Sequence, residues 1–111
     1  MFNKEINPYN VSDKVTFRNV DKTLTLYVRG DAASFVAGLR KAQEKLQVIM
    51  DETKEDERAE SARFFARTLF GEEQADKLVD FYNNEPLAVI SVCGMYFQKR
   101  LAKKITKAQK K

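Results

Sequence analysis

The chain has 111 residues, of which 43% are hydrophobic and 32% charged, with a net charge of +4; this length and composition are those of one globular domain. It contains no histidine and a single cysteine, Cys93. An internal disulfide, a zinc site built from Cys and His ligands, and histidine-based catalytic dyads or triads are therefore excluded. We predict a protein that is not an enzyme and that binds no cofactor or metal.

The first residues do not resemble a targeting signal. Residues 1–5 have no apolar segment of the kind that signal peptides carry. The longest apolar run, Leu87 to Phe97, is about half of the roughly 20 residues that a membrane span needs. With one thiol and no disulfide partner, the sequence predicts a cytoplasmic location and no membrane association.

A β-hairpin is predicted after a polar, extended arm at residues 1–13. Residues 15–20 and 23–28 are rich in β-branched and aromatic side chains with alternating apolar positions, and the turn residues of 19–22 lie between them. A lone two-stranded hairpin is marginally stable in water. We therefore expect it to pack on helices or to pair through its free edge with a strand of another chain.

Three helices are predicted next. Asp31 suits the N-cap of the first, which should run from Ala32 to Asp51 with an apolar stripe. The acid-rich segment 51–60 is typical of either a loop or the first turn of the second helix, predicted for residues 55–70. Gly71 should end that helix as its C′ residue, and a short third helix should cover residues 72–82.

The last helix is predicted from Pro86 to Thr106 or beyond, and it is apolar almost all round. Its predicted core stripe comprises Leu87, Ile90, Gly94, Phe97, Leu101 and Ile105. A helix with this much apolar surface must be buried on more than one side, so it is either central or half-covered by a partner. Gly94 indicates a close approach between helices. The predicted partner-binding residues, on the remaining apolar face and the adjoining basic turn, are Val89, Val92, Tyr96, Lys99, Arg100 and Lys103.

Together these elements predict an α+β, mostly helical fold: an N-terminal β-hairpin followed by four helices packed as a small bundle. The predicted domain spans residues 14–106, between the arm at 1–13 and a basic tail at 107–111.

Charge is distributed unevenly along the chain. After Glu85 there are seven basic residues and no acidic one, which leaves 13 bases against 16 acids in residues 1–98, a net charge of −3. A basic end can bind nucleic acid or an acidic partner. It can equally be a solubilising helix C-terminus, where lysines complement the helix dipole. The tail has no aromatic residue to stack on bases, which disfavours single-stranded nucleic acid there.

The order of elements resembles a known family. A hairpin, a long helix, an acid-rich connection, the step Phe70-Gly71-Glu72 into Ala75-Asp76 and a lysine-ended apolar helix are similar to the small tail-assembly-chaperone-like proteins of phages and prophages of Gram-positive bacteria. The resemblance covers about residues 15–107. It implies an oligomeric factor, in the host-cell cytoplasm, that keeps the tape-measure or tail-tube protein soluble during tail assembly.

The sequence thus favours a protein-binding factor that holds an apolar partner. The alternative is a nucleic-acid-binding or regulatory helical protein that uses its basic C-terminal tail. Residues 59–82 have the helix–turn–helix order of some DNA-binding proteins. The third helix, however, carries four acids (Glu72, Glu73, Asp76 and Asp80) and one base, Lys77, so phosphates would repel it.

Overall fold

The computed structural model describes the backbone of residues 11–51 and 55–109. Most of the predicted arm, part of the acid-rich segment 51–60 and the last two residues of the predicted tail lie outside this range. Within it, the predicted fold class is confirmed: a two-stranded antiparallel hairpin precedes the helices. None of the described helices is both long and apolar enough to cross a membrane.

The hairpin is longer than predicted. Strand β1 covers Val11–Asn19 and strand β2 covers Lys22–Gly30, with register from Asn19↔Lys22 to Val11↔Gly30. The last three residues of the predicted arm are therefore strand. The inward positions of β1 are Val11, Asp13, Val15 and Phe17, so the alternation continues past Val15 through an acidic residue, which hid it from a hydrophobicity pattern.

The helices agree with their predicted bounds to within a few residues. They are α1 (Ala32–Asp51), α2 (Glu55–Phe70), α3 (Glu72–Phe81), α4 (Pro86–Tyr96) and α5 (Ala102–Gln109), with a π-helical turn at Phe97–Leu101. The Asp31 carboxylate accepts from the Ser34 N–H at 3.2 Å, as expected of an N-cap. Gly71, with φ of 84°, separates α2 from α3.

The last three of these elements form one continuous helix, which we call the terminal helix (residues 86–109). In its π-helical turn the Ala102 N–H donates to the carbonyl of Phe97, five residues back. The buried positions consequently step by five from Tyr96 to Leu101, where an α-helix would step by three or four. This step turns Leu101 and Ile105 into the core and leaves Arg100 and Lys104 partly exposed.

The core lies between the hairpin's inner face, α2 and the terminal helix. Three rings meet at its centre: Phe70 stacks on Tyr96 at 5.8 Å, and Phe17 meets both edge-on. Helix α1 packs on the other side of α2, where a Cβ on Gly38 would lie 2.7 Å from the Thr68 methyl. The close approach predicted at Gly94 is wrong for the described residues, because a Cβ built there meets none of their atoms within 4 Å.

Helix α3 holds the hairpin through polar contacts to its backbone. The Gln74 side chain accepts from the Tyr27 N–H at 2.8 Å and donates to the Tyr27 carbonyl at 2.6 Å, so it pairs with β2 as a neighbouring strand would. Tyr82 donates to the Arg18 carbonyl, and Asn19 donates to the Phe81 carbonyl. These bonds fix the hairpin's position on the helices.

The turn of the hairpin carries backbone strain. Val20 has φ of 59° and is 89% exposed, and a β-branched residue at positive φ is strained. We expect Val20→Gly to raise the free energy of unfolding by about 1 kcal/mol, because relief of strain exceeds the added unfolded-state entropy. Urea denaturation measures this change. Asp21→Gly is the matched control: Asp21 has no positive φ, so that variant should lose about 0.5–1 kcal/mol.

Candidate functional site

The predicted partner-binding residues do not share one surface. Val89 and Tyr96 are 0% and 5% exposed, so their predicted place on an open face is wrong. Val92 is half-buried, whereas Lys99, Arg100 and Lys103 are exposed. The cause is the π-helical turn: the stripe predicted as core is buried only from Leu101 onward, and before the turn a different face points inward.

The displaced apolar stripe lines an open groove. Ile90, Gly94 and Phe97 face α1 across a cavity of about 640 Å³. Buried Ala42, Phe65 and Ile105 also line this groove, together with the half-buried side chains of Val36, Leu39 and Leu46. We call this surface the α1 groove. Its volume is within the range of ligand-binding clefts, which are mostly apolar with a few polar groups.

The borders of the α1 groove are polar, and none of the described residues that line it is acidic. Its polar residues are Arg40 and Gln43 on α1 and Gln98, Thr106 and Gln109 on the terminal helix. Lys103 and Lys107 line a shallower depression that shares Ala102 and Thr106 with the groove. The groove therefore combines an apolar floor with a border of amides and positive charge, which suits an apolar ligand that carries acidic groups at its sides.

The groove exists because α1 diverges from α4. Helix α1 packs along α2 and contacts α5, which closes one end, but it makes little contact with α4. Gly94 lies where a larger side chain would fill the gap, since a Cβ at this position points into open space. A glycine in mid-helix costs about 1 kcal/mol relative to alanine. No close contact of Gly94 with a described residue offsets that cost.

A carboxylate behind the groove anchors the terminal helix to the hairpin. The Asp13 side chain is only 5% exposed. It accepts from the Tyr96 hydroxyl at 2.8 Å and from Arg100 at 2.7 Å, and the Lys104 ammonium lies 3.8 Å away. Burial, together with the hydrogen bond to Asp13, raises the pKa of Tyr96, which thus stays protonated as the donor.

Two of the seven basic residues that follow Glu85 therefore have a structural role. Arg100 and Lys104 neutralise a nearly buried charge, whereas Lys99, Lys103 and Lys107 form no salt bridge with any described residue. Asp13 was missed in the sequence because it was assigned to the arm. The detectable signal was the period of two that runs back from Phe17 and Val15 through residues 13 and 11.

Cys93 is a core residue. Its side chain is fully buried, and this burial raises the pKa of the thiol to about 12. Such a thiol stays protonated at neutral pH and is a poor nucleophile. Among the residues that the structure describes, no three His, Cys, Asp or Glu side chains are grouped so as to hold a metal ion.

Comparison with protein-family models, with curated proteins and with solved structures finds no match. The resemblance to tail-assembly-chaperone-like proteins accordingly stays a prediction.

The Asp13 anchor is testable by a double-mutant cycle. We expect Tyr96→Phe to lower the free energy of unfolding by about 1–2 kcal/mol and Asp13→Asn by about 2 kcal/mol, because each removes a charge-assisted hydrogen bond from a buried site. The double variant should lose less than the sum, since both act on one interaction. Guanidinium denaturation gives these values, and additive losses would contradict the anchor. Asp21→Asn, on the exposed turn, is the control and should change stability by less than about 0.5 kcal/mol.

Raised pKa values predict a loss of stability at alkaline pH. The folded state keeps Cys93, Tyr82 and Tyr96 protonated, while the unfolded chain ionises them near their ordinary pKa values, from about 9 upward. The stabilisation is therefore complete below about pH 9 and is lost as the pH rises toward the folded pKa values. Melting temperatures between pH 7 and 11 should fall, and Cys93→Ala should flatten the decline.

Proposed function

We propose that this protein is a non-enzymatic binding factor that holds an amphipathic helix of a partner protein in the α1 groove. The apolar floor of that groove carries the proposal. Apolar side chains that remain half-exposed in a contiguous, open cleft are typical of sites where a partner helix docks. The groove is long in the direction of the terminal helix, from Ile90 to Gln109, which is about five helical turns.

The charge at the border of the groove favours a partner helix with acidic residues on either side of its apolar stripe. Arg40 and the nearby Lys103 and Lys107 are cationic, and no acidic residue lines the groove in the part of the chain that the structure describes. A helix with leucine-type residues at i, i+3, i+4 and i+7 and with glutamates beside them complements both features. Of the residues predicted from the sequence, Lys103 lines the depression beside the groove, whereas Val89 and Tyr96 are buried in the core.

The identity of the partner comes from the resemblance alone. If it holds, the protein is a tail-assembly chaperone or tail-associated protein of a phage or prophage, acting in the bacterial cytoplasm as a homo-oligomer. The tape-measure or tail-tube protein would then supply the helix. Transient binding of an apolar helix by a border-charged groove suits such a role, because the chaperone must leave the finished structure.

Gly94 allows the groove to be blocked without loss of stability. Gly94→Leu should place an apolar side chain in the cleft and improve helix propensity, so we expect the free energy of unfolding to stay equal or rise by up to about 1 kcal/mol. Met95→Leu is the matched control, because Met95 is half-exposed and lies outside the groove.

The probe is a fluorescein-labelled amphipathic peptide of about 18 residues with a leucine stripe and glutamate flanks. We expect the wild type and Met95→Leu to bind it with a micromolar dissociation constant by fluorescence anisotropy, and Gly94→Leu to bind at least about tenfold more weakly. A peptide with lysine flanks should also bind about tenfold more weakly. Equal binding by Gly94→Leu, or no binding by the wild type, would refute the groove as the docking site.

The resemblance has its own test. The tape-measure protein of the same genome should be more soluble when it is co-expressed with the wild-type chain or with its Met95→Leu variant. Co-expression with Gly94→Leu should not increase its soluble yield. Light scattering reports the oligomeric state. If the protein is a monomer at high concentration, the predicted homo-oligomer is wrong, whereas the proposal that the groove binds a helix is unaffected.

A further inference from the structure

The outer face of the hairpin differs from the rest of the surface in its chemistry. Every residue on this face is exposed: Ser12, Lys14, Thr16, Arg18, Thr23, Thr25, Tyr27 and Arg29. The face carries three cations, four hydroxyl side chains besides that of tyrosine, and no acid. This face is therefore cationic, whereas residues 1–98 as a whole carry a net charge of −3.

The three cations of the outer face have no salt-bridge partner among the described residues. None of Lys14, Arg18 and Arg29 forms a salt bridge within the part of the chain that the structure describes, where the carboxylate of Asp13 is taken by Arg100 and Lys104. Lys14 lies directly opposite Tyr27, and Arg29 is diagonal to Lys14, about 7–8 Å away by strand geometry. Arg18 lies about 13 Å further along β1. The cations thus form a line rather than a cluster.

Tyr27 adds a flat aromatic surface in the middle of this line. It is 49% exposed, and its backbone is held on both sides, by pairing with β1 and by the Gln74 amide. An exposed ring on a held backbone, between cations, is the arrangement on which unpaired bases stack while the phosphates meet lysine and arginine. Beside it, Thr16 and Thr25 hydroxyls hydrogen-bond at 2.9 Å, and threonine hydroxyls are common donors to phosphate and sugar.

From this geometry we propose that the outer face of the hairpin binds single-stranded nucleic acid. An acidic polypeptide would satisfy the three cations but gives no use to the exposed ring. Duplex nucleic acid keeps its bases stacked away from Tyr27. The surface lies on the hairpin's outer side, whereas the α1 groove is lined by α1, α2 and the terminal helix, so it is independent of the proposed peptide site.

The test is fluorescence anisotropy with a labelled oligothymidylate of about 12 nucleotides, titrated at several salt concentrations. Three phosphate contacts on a single strand give a slope of log K against log salt of about −2. We expect Lys14→Gln/Arg18→Gln/Arg29→Gln to weaken binding at least about tenfold at low salt and to remove most of that slope. All three positions are exposed, so the variants should fold, and thermal melts check this.

A matched triple variant separates the hairpin from the basic terminal helix. Lys99→Gln/Lys103→Gln/Lys107→Gln removes the same number of charges from residues that make no described salt bridge, and it should weaken binding less than about threefold. If both triple variants lose equally, net charge alone explains the binding and the hairpin site is refuted. Absence of binding by the wild type at the lowest salt would refute it as well.

Substitutions at Tyr27 test the contribution of base stacking to oligonucleotide affinity, because they leave the net charge unchanged. Tyr27→Leu should weaken binding about 5- to 100-fold and Tyr27→Phe hardly at all, because stacking needs a ring. Since the sequence has no tryptophan, Tyr27→Trp introduces a single fluorophore whose emission should be quenched by the oligonucleotide. Unchanged binding by Tyr27→Leu, or polyglutamate competing as well as the oligonucleotide, would overturn the proposal. Gly94→Leu should leave oligonucleotide binding unchanged.

Discussion

The π-helical turn at Phe97–Leu101 adds one residue to a turn of the terminal helix, and it determines which side chains of that helix are buried and which are exposed. The hydrogen bond from the Ala102 N–H to the Phe97 carbonyl widens one turn. Before it, Val89, Cys93 and Tyr96 are buried on α4, which packs against α2, and the Tyr96 ring also meets Phe17 of the hairpin; after it, Leu101 and Ile105 continue the core. A regular α-helix would instead have directed Arg100 and Lys103 or Lys104 inward. The π-helical turn lets one helix carry an apolar half and a basic half.

That turn also explains the limits of reading the sequence. The helix bounds were predictable because Asp31, Gly71 and Pro86 are strong local signals that act within one turn of the chain. Which face of the terminal helix is buried was not, because a helical pattern assumes a constant 3.6 residues per turn. The terminal helix has apolar residues on nearly all sides. No local sequence signal therefore distinguished the predicted core stripe, which includes Ile90, from the face that is buried, which includes Val89.

The hairpin shows a second limit. Its existence followed from alternation and turn residues, but its length depended on Asp13, whose partners Tyr96 and Arg100 are more than 80 residues away. A buried carboxylate is tolerable only when its partners are in place, and these meet only in the folded chain. The groove and the outer face of the hairpin are likewise products of tertiary packing, so the sequence suggested binding without locating either surface.

The hydrogen bonds of the Gln74 amide to β2 also affect the tendency of the protein to aggregate through its sheet edge. A two-stranded sheet presents free edges, and free edges template the addition of further strands from other molecules. By occupying both backbone groups of Tyr27, in the middle of β2, the glutamine interrupts that edge where an incoming strand would need a continuous row of donors and acceptors. At the same residue, then, one side chain from α3 limits fibrous polymerisation and leaves the aromatic ring free on the other side.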